Sequence, residues 1–235
     1  MPNTQYEERL GTDRMLPLVF RMALPAVAAQ LVNLLYTLVD RVYIGHIPGI
    51  GTDALAGVGV TSSVIILISA FSAIVAGGGA PLAAIALGQG HRERAGKILG
   101  NGFVLLVLFA VVTSAVSYLF MKPILTSIGA SSHTLPHAVD CLSVYLLGTL
   151  FVEVAVGLNT FINCQGRPGV AMCSVIIGAV LNIVLDPLFI FTFGMGVKGA
   201  ALATILSQAC SAVWVLVFLT SRRASLQLER KYLRL

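Results

Sequence analysis

Charge is what this sequence has least of. Charged residues fill 11% of its 235 positions, and hydrophobic residues fill 57%. An average soluble domain carries roughly 25% charged residues. So little charge cannot clothe a folded surface in water, which excludes an ordinary soluble domain. Intrinsic disorder is excluded too, because it needs low hydrophobicity and high charge. Cysteine is also sparse. Cys141, Cys164, Cys173 and Cys210 lie inside or at the ends of apolar stretches, and none forms a close C-x-x-C pair. That argues against a disulfide framework or a zinc site and for small packing residues. There is no nucleophilic triad, phosphate loop or His/Cys metal cluster, so no enzyme chemistry is indicated and no cofactor is expected. His46, His91, His133 and His137 fall between the apolar stretches. His133 and His137 are four apart, but two ligands make a weak metal site.

What the sequence does have is long apolar runs. The first fifteen residues are polar and lack a signal-peptide cleavage pattern. Apolar sequence then fills about 16–44, 54–76, 98–121, 138–163, 170–193 and 199–220. A helix of about 20 apolar residues crosses the roughly 30 Å hydrocarbon core of a bilayer. The fold class is therefore an all-α polytopic membrane protein, a bundle of six transmembrane helices. Pro25 should kink the first span and free the carbonyl of Arg21. No charged residue occurs from Ala54 to Gly90. That run is too long for one straight span, and Gly77-Gly78-Gly79-Ala80-Pro81 is its natural break. Residues beyond it read as a helical extension, Lys122–His137 as an outside connection, and 221–235 as a basic, polar tail.

The net charge of +5 is explained by where the basic residues fall. With a cytoplasmic N-terminus, the inside segments hold Arg9, Arg14, Arg21, Arg92, Arg94, Lys97, Arg167, Arg222, Arg223, Arg230, Lys231 and Arg234. Only Lys122 and Lys198 fall outside. The positive-inside rule then places both termini in the cytoplasm of a cell-membrane protein. Nucleic acid is not needed to account for the basicity; anionic lipid is partner enough for the tail.

Gly194-Met195-Gly196-Val197-Lys198-Gly199 matches the dinucleotide pattern G-x-G-x-x-G. That reading requires a preceding strand and an acidic residue about twenty positions on. Here a membrane span precedes it and the next acid is Glu229, so a tight turn between helices is the better reading.

The informative residues are the acids inside spans. A charged Asp at a helix centre costs roughly 2.5–3.5 kcal/mol on insertion scales, so such groups face a cavity, a partner or an ion. Asp40, Glu153 and Asp186 are the three. At helical spacing Gln30, Asn33, Tyr36, Thr37 and Asp40 form one stripe, and Asn182 shares a face with Asp186. Thr149, Glu153, Gly157 and Thr160 form a stripe on the fourth span, and Thr204, Ser207, Gln208 and Ser211 one on the sixth. Four polar stripes suggest helices around a polar pocket, with Gln30, Asn33, Tyr36, Thr37 and Glu153 as its candidate lining. Pro187 removes the bond to the carbonyl of Ile183. A carboxylate, an amide oxygen and a free carbonyl are hard ligands, suited to a cation or an exchangeable proton.

Several segments together resemble the multidrug and toxic compound extrusion (MATE) family. They are Leu24-Pro25, Val39-Asp40-Arg41-Val42-Tyr43-Ile44-Gly45, Ala54-Leu55-Ala56-Gly57-Val58-Gly59, Asn159–Gly166, Leu181-Asn182-Ile183-Val184-Leu185-Asp186-Pro187 and Gly196–Thr204. The resemblance covers one six-helix lobe, the amino-terminal one. It implies a two-lobe, twelve-span transporter around a central cavity, with a carboxyl-terminal lobe as partner. It implies export of amphipathic, often cationic compounds in exchange for Na+ or H+. It also implies a coupling-cation site made by Asp40, Asn182, Asp186 and Thr204. Alternatives are a lipid-linked precursor flippase of the wider fold, and a non-transporting membrane scaffold or channel subunit.

Overall fold

A computed structural model describes residues 15–233 of the chain. The N-terminal segment with Arg9 and Arg14, the side chains of Arg21 and Arg230, and Arg234 lie outside the described residues. Helices α1 (Met15–Gly45), α2 (Gly51–Gly88), α3 (Arg92–Leu119), α4 (Met121–Ile128), α5 (Leu135–Cys164), α6 (Pro168–Pro187) and α7 (Val197–Thr220) follow one another. Six of them, all but the short α4, are long and apolar enough to cross a membrane. Among the described residues there is no strand.

Helix α5 is the hub. It packs against α7, α2 and α3, while α1 leans mainly on α6, and α6 in turn on α7. Small residues make the close approaches. A Cβ added at Gly148 would lie 2.2 Å from the Ile205 side chain, and one at Gly157 would lie 2.6 Å from Leu106. Close backbone approach of this kind replaces the hydrophobic drive that membrane helices lack among themselves. The core therefore runs along α5 through Val154, Leu158, Phe161 and Ile162, joined by Leu99, Leu106, Val215 and Leu219. Helix α1 sits at the edge, with Leu24, Leu31, Leu34, Leu35 and Leu38 all exposed.

One expectation about breaks needs correcting. Helix α2 does not stop near Gly77; it runs unbroken through the glycines and Pro81 to Gly88. Gly77 and Gly78 border open space, and Gly79 gives room to the ring of Phe161. Pro81 costs the helix only the bond to the Gly77 carbonyl. Inside a bilayer any further unwinding would leave polar groups unpaired, so the helix continues. The fifth span, in contrast, changes character. Its α-helix ends at Pro187 and continues as a π-helical turn, Leu188–Thr192. The glycine pattern that follows is a turn. Gly194 and Gly196 take positive φ of 64° and 56°, and Gly199 lies against the Phe189 backbone.

The connections sort to two ends of the bundle. At one end lie the α2–α3 turn, the α5–α6 turn and the residues after α7, carrying Arg92, Arg94, Lys97, Arg167, Arg222, Arg223 and Lys231. The residues after α7 are not a free polar tail. Ala224 and Leu226 are buried, the Leu226 N–H donates to Gln165 Oε1 at 3.0 Å, and Tyr232 packs over Gly96 and Gly100. The opposite end holds α4, with Lys122, and the ion pair Lys198–Asp140 at 3.2 Å.

Candidate functional site

Three helices bring the expected polar residues together in the half of the bundle away from the basic end. Asn182 and Asp186 sit one turn apart on α6, and the Asn182 Nδ2 donates to Asp186 Oδ1 at 3.2 Å. The same amide donates to Thr204 Oγ1 on α7 at 3.4 Å. Thr204 in turn donates to the Ala200 carbonyl at 3.0 Å. Asp40 comes towards the same end of the bundle on α1, the helix packed against α6. Asp186 and Asn182 are buried, while Asp40 and Thr204 are half-buried.

The hydrogen bonds leave a particular set of atoms over. Asp40 Oδ1, Asn182 Oδ1, Asp186 Oδ2 and Ser207 Oγ are buried and have no hydrogen-bond partner. Buried polar atoms are nearly always paired, so several orphans in one place need a reason. Three of the four are oxygens that can only accept. Asp40 and Asp186 are also like charges when ionised, and like charges repel. No ion pair seen among the described residues involves Asp40, Glu153 or Asp186, so a static salt bridge does not explain them. Arg41 follows Asp40 in the chain, but its side chain is exposed. A hard cation or a proton would satisfy both the orphaned oxygens and the repulsion. The backbone helps: Pro187 has no N–H for the carbonyl of Ile183, and π-helical turns recur at functional sites.

The cluster lies between two unlike neighbourhoods. One turn outward from each ligand is an apolar packing of Ile44, Ile47, Ile190, Val197, Ala200 and Ala201, joined by Cys141. On the other side is a cavity of about 220 Å³ between α1, α5, α6 and α7. Its polar lining includes Gln30, Asn33, Tyr36, Asn159, Asn163 and Gln208. Tyr36 lines the cavity and lies one helical turn before Asp40 on α1.

The remaining candidates sit elsewhere. Thr37 is exposed and donates back to the Asn33 carbonyl at 2.8 Å. Glu153 is buried at 1% exposure and takes a hydrogen bond from the Ser72 hydroxyl of α2. It does not line the cavity. Of its proposed stripe only Thr160 does; Gly157 lies under Leu106, and Thr149 bonds the Tyr145 carbonyl. The face of α5 that does meet the cavity carries Asn159 and Asn163. Their spacing of four was the available signal. Asn159 Nδ2 donates to the Ala171 carbonyl at 3.2 Å, and its Oδ1 is a further orphan.

The MatE family model matches residues 25–188, which takes in Asp40, Asn182 and Asp186. The chain belongs to the MatE family. Among its curated relatives is the multidrug export protein MepA of Staphylococcus haemolyticus, 22% identical over 91% of this chain and 47% of that protein. Another is the FAD transporter of Shewanella oneidensis, 28% identical over 80% of this chain and 42% of that protein. A solved outward-facing structure of a multidrug resistance MATE family transporter superposes with a TM-score of 0.85. It is 26% identical and is matched over 93% of this chain and 48% of that one. The chain thus spans about half the length of the relatives it matches. Its six-helix bundle superposes on about half of that transporter structure.

Proposed function

We propose that this chain is the amino-terminal half of a cation-coupled exporter of amphipathic cations, working with a carboxyl-terminal six-helix lobe. The observation that carries the reading is the set of orphaned oxygens on Asp40, Asn182 and Asp186, held by helices from opposite ends of the sequence. In this reading the cluster binds the coupling ion, Na+ or H+, with Asp40 and Asp186 supplying charge. Asn182 supplies its amide oxygen, and Thr204 fixes that amide from α7. Cargo occupies the adjoining cavity. Export follows from exchange: the ion and the cargo each favour a different arrangement of α1 against α6, and each displaces the other.

Cargo class follows from the lining. Amides, hydroxyls and an aromatic ring line the cavity, with two acids one turn away, a field that favours cations. A phosphorylated flavin such as the cargo named for the Shewanella relative would meet repulsion there. A flippase reading would need a lipid-sized groove. The basic end of the bundle faces the cytoplasm in this proposal, so both termini do too. The test is reconstitution of the chain with a matching carboxyl lobe in liposomes. Ethidium export should follow an imposed Na+ or pH gradient, and Asp40→Asn should abolish it. Export that ignores both gradients would overturn the coupling.

A further inference from the structure

The apolar packing beyond the cation cluster has a second face. Ile44 lies one turn beyond Asp40, Ile190 one turn beyond Asp186, and Ala200 one turn before Thr204. These three pack in one layer with Ile47 and Val197, and none of the five is more than 9% exposed. Ile47, Ile190 and Val197 also line a surface groove of about 560 Å³ at the end of the bundle away from the basic residues. Asp140 stands on its rim, paired with Lys198 at 3.2 Å. One layer of side chains therefore separates this groove from the ligands. The layer lies where α1 meets α6: the rings of Tyr43 and Phe191 meet edge to face beside it, with centroids 6.3 Å apart. Its α6 part is carried by the π-helical turn Leu188–Thr192. The groove wall is tied to that turn, because the Met195 N–H donates to the Phe189 carbonyl at 3.1 Å and the Gly196 N–H to the Ile190 carbonyl at 3.4 Å.

We propose that this layer is the outer gate of the cation site and the groove its vestibule, so that the coupling ion enters from the groove when α1 and the π-helical turn part. A packed apolar constriction holds no water, and an ion does not cross it while it stays closed. Ile44 and Ile47 move with α1, and Ile190 moves with α6. A change in how α1 lies against α6 therefore opens or closes the layer directly. The polar cavity lies on the other side of the cluster, and its walls include Asn163 and Pro168, which flank the α5–α6 turn at the basic end. Ion and cargo thus approach the site from opposite ends of the bundle, as exchange requires. The inference rests on the cation-coupled reading above, and it adds the ion's route and the residues that close it.

The test measures ion entry with and without cargo. The chain is reconstituted with a matching carboxyl-terminal lobe in liposomes, and entry of Na+ or H+ down an imposed gradient is followed with a trapped dye. In the native protein, entry without ethidium should be less than about a tenth of entry with it, because ion and cargo are linked. Ile190→Ala and Ile47→Ala thin the layer without touching a ligand, and each should raise cargo-free entry about fivefold or more. Adding Asp40→Asn to Ile190→Ala should return entry to the native level, since the leak passes through the cation site. Leu147→Ala, at a position 79% exposed on α5, should change nothing. If Ile190→Ala does not fold, Ile47→Ala probes the same barrier from its edge. Cargo-free entry that stays native in the thinned variants, or rises but ignores Asp40→Asn, would overturn the gate and leave the coupled reading standing. Native entry that is the same with and without ethidium would overturn both.

Discussion

Asp186 and Glu153 are buried carboxyls on neighbouring helices, yet their surroundings make them different objects. Glu153 is packed in the α2–α5 interface and takes the Ser72 hydroxyl. Asp186 keeps one buried oxygen without a partner, beside the similarly orphaned oxygens of Asp40 and Asn182. Neither acid lines the polar cavity itself, but Tyr36, Gly178 and Gln208 of its wall each lie one turn from Asp40, Asn182 or Thr204. Burial of an acid in a membrane helix is therefore not enough to mark an ion site. The mark is unspent acceptor capacity next to space through which an ion could arrive. In the proposed function Glu153 is a tie between helices, and Asp186 a ligand.

The largest expected effect separates the two directly. Asp40→Asn or Asp186→Asn should eliminate ion-driven export, a loss of about a hundredfold or more, because each removes a charge that the ion needs. Folding should survive, since taking a charge out of an apolar setting is not costly. Glu153→Gln keeps the shape and an acceptor for Ser72, so export should stay within about threefold of the native rate. Gradient-driven ethidium export in liposomes, compared at matched protein amounts, decides it. Equal losses at Glu153 and Asp186 would erase the distinction between ligand and tie.

How much of this contrast was legible in the sequence depends on the kind of helix. The six apolar runs follow from the bilayer, which dictates length and composition. The Asn182–Asp186 pair follows from a spacing of four on α6, a helix whose other faces carry the exposed Val180 and Val184. Helix α5 gives no such phase. Val152, Glu153, Val154 and Ala155 are consecutive and all buried, while Leu147, Phe151 and Val156 are exposed, so burial does not keep to one face. A helix packed on several faces has no single apolar stripe to distinguish cavity from core. That is why a stripe through Glu153 and Gly157 could be drawn, while Asn159 and Asn163 went unselected. The assembly of Asp40 and Thr204 with the α6 pair joins residues far apart in sequence. Spacing cannot supply that, and only the family resemblance did.

The next effects fall on stability. If α5 is the hub, its tightest approach should tolerate the least. A Cβ at position 148 would meet the Ile205 side chain, its own Cβ included, at 2.2–2.8 Å. Gly148→Ala should therefore cost about 1–3 kcal/mol, the usual range for overpacking. Thermal unfolding in detergent would show it, and an unchanged melting temperature would mean that α5 and α7 can part without penalty. Ser72→Ala should come next. It strips Glu153 of its hydroxyl partner, at about 1–3 kcal/mol for a buried group left unsatisfied. In the tie reading this lowers stability with no change in the ion dependence of export. A changed ion dependence would move Glu153 into the transport machinery.

The smallest effect tests the edge of the cavity. Thr37 lies on the same sequence stripe as Asn33, Tyr36 and Asp40, and by spacing alone it belongs with them. Its hydroxyl is instead turned back on its own helix, donating to the Asn33 carbonyl at 2.8 Å from an exposed position. That carbonyl already serves as a helix acceptor, so the threonine bond adds little to stability. Local back-bonding of this type is close to neutral or slightly unfavourable in helices. Thr37→Ala should thus change stability by less than about 0.5 kcal/mol, as for surface positions generally. Export and ethidium affinity should remain within about twofold. Tyr36→Phe, one residue away, should instead weaken ethidium binding, because Tyr36 lines the cavity. A large export defect at Thr37 would mean that α1 turns during transport far enough to bring its exposed face to the cargo. The contrast between adjacent positions then measures how fixed the inward face of α1 is while the ion site works.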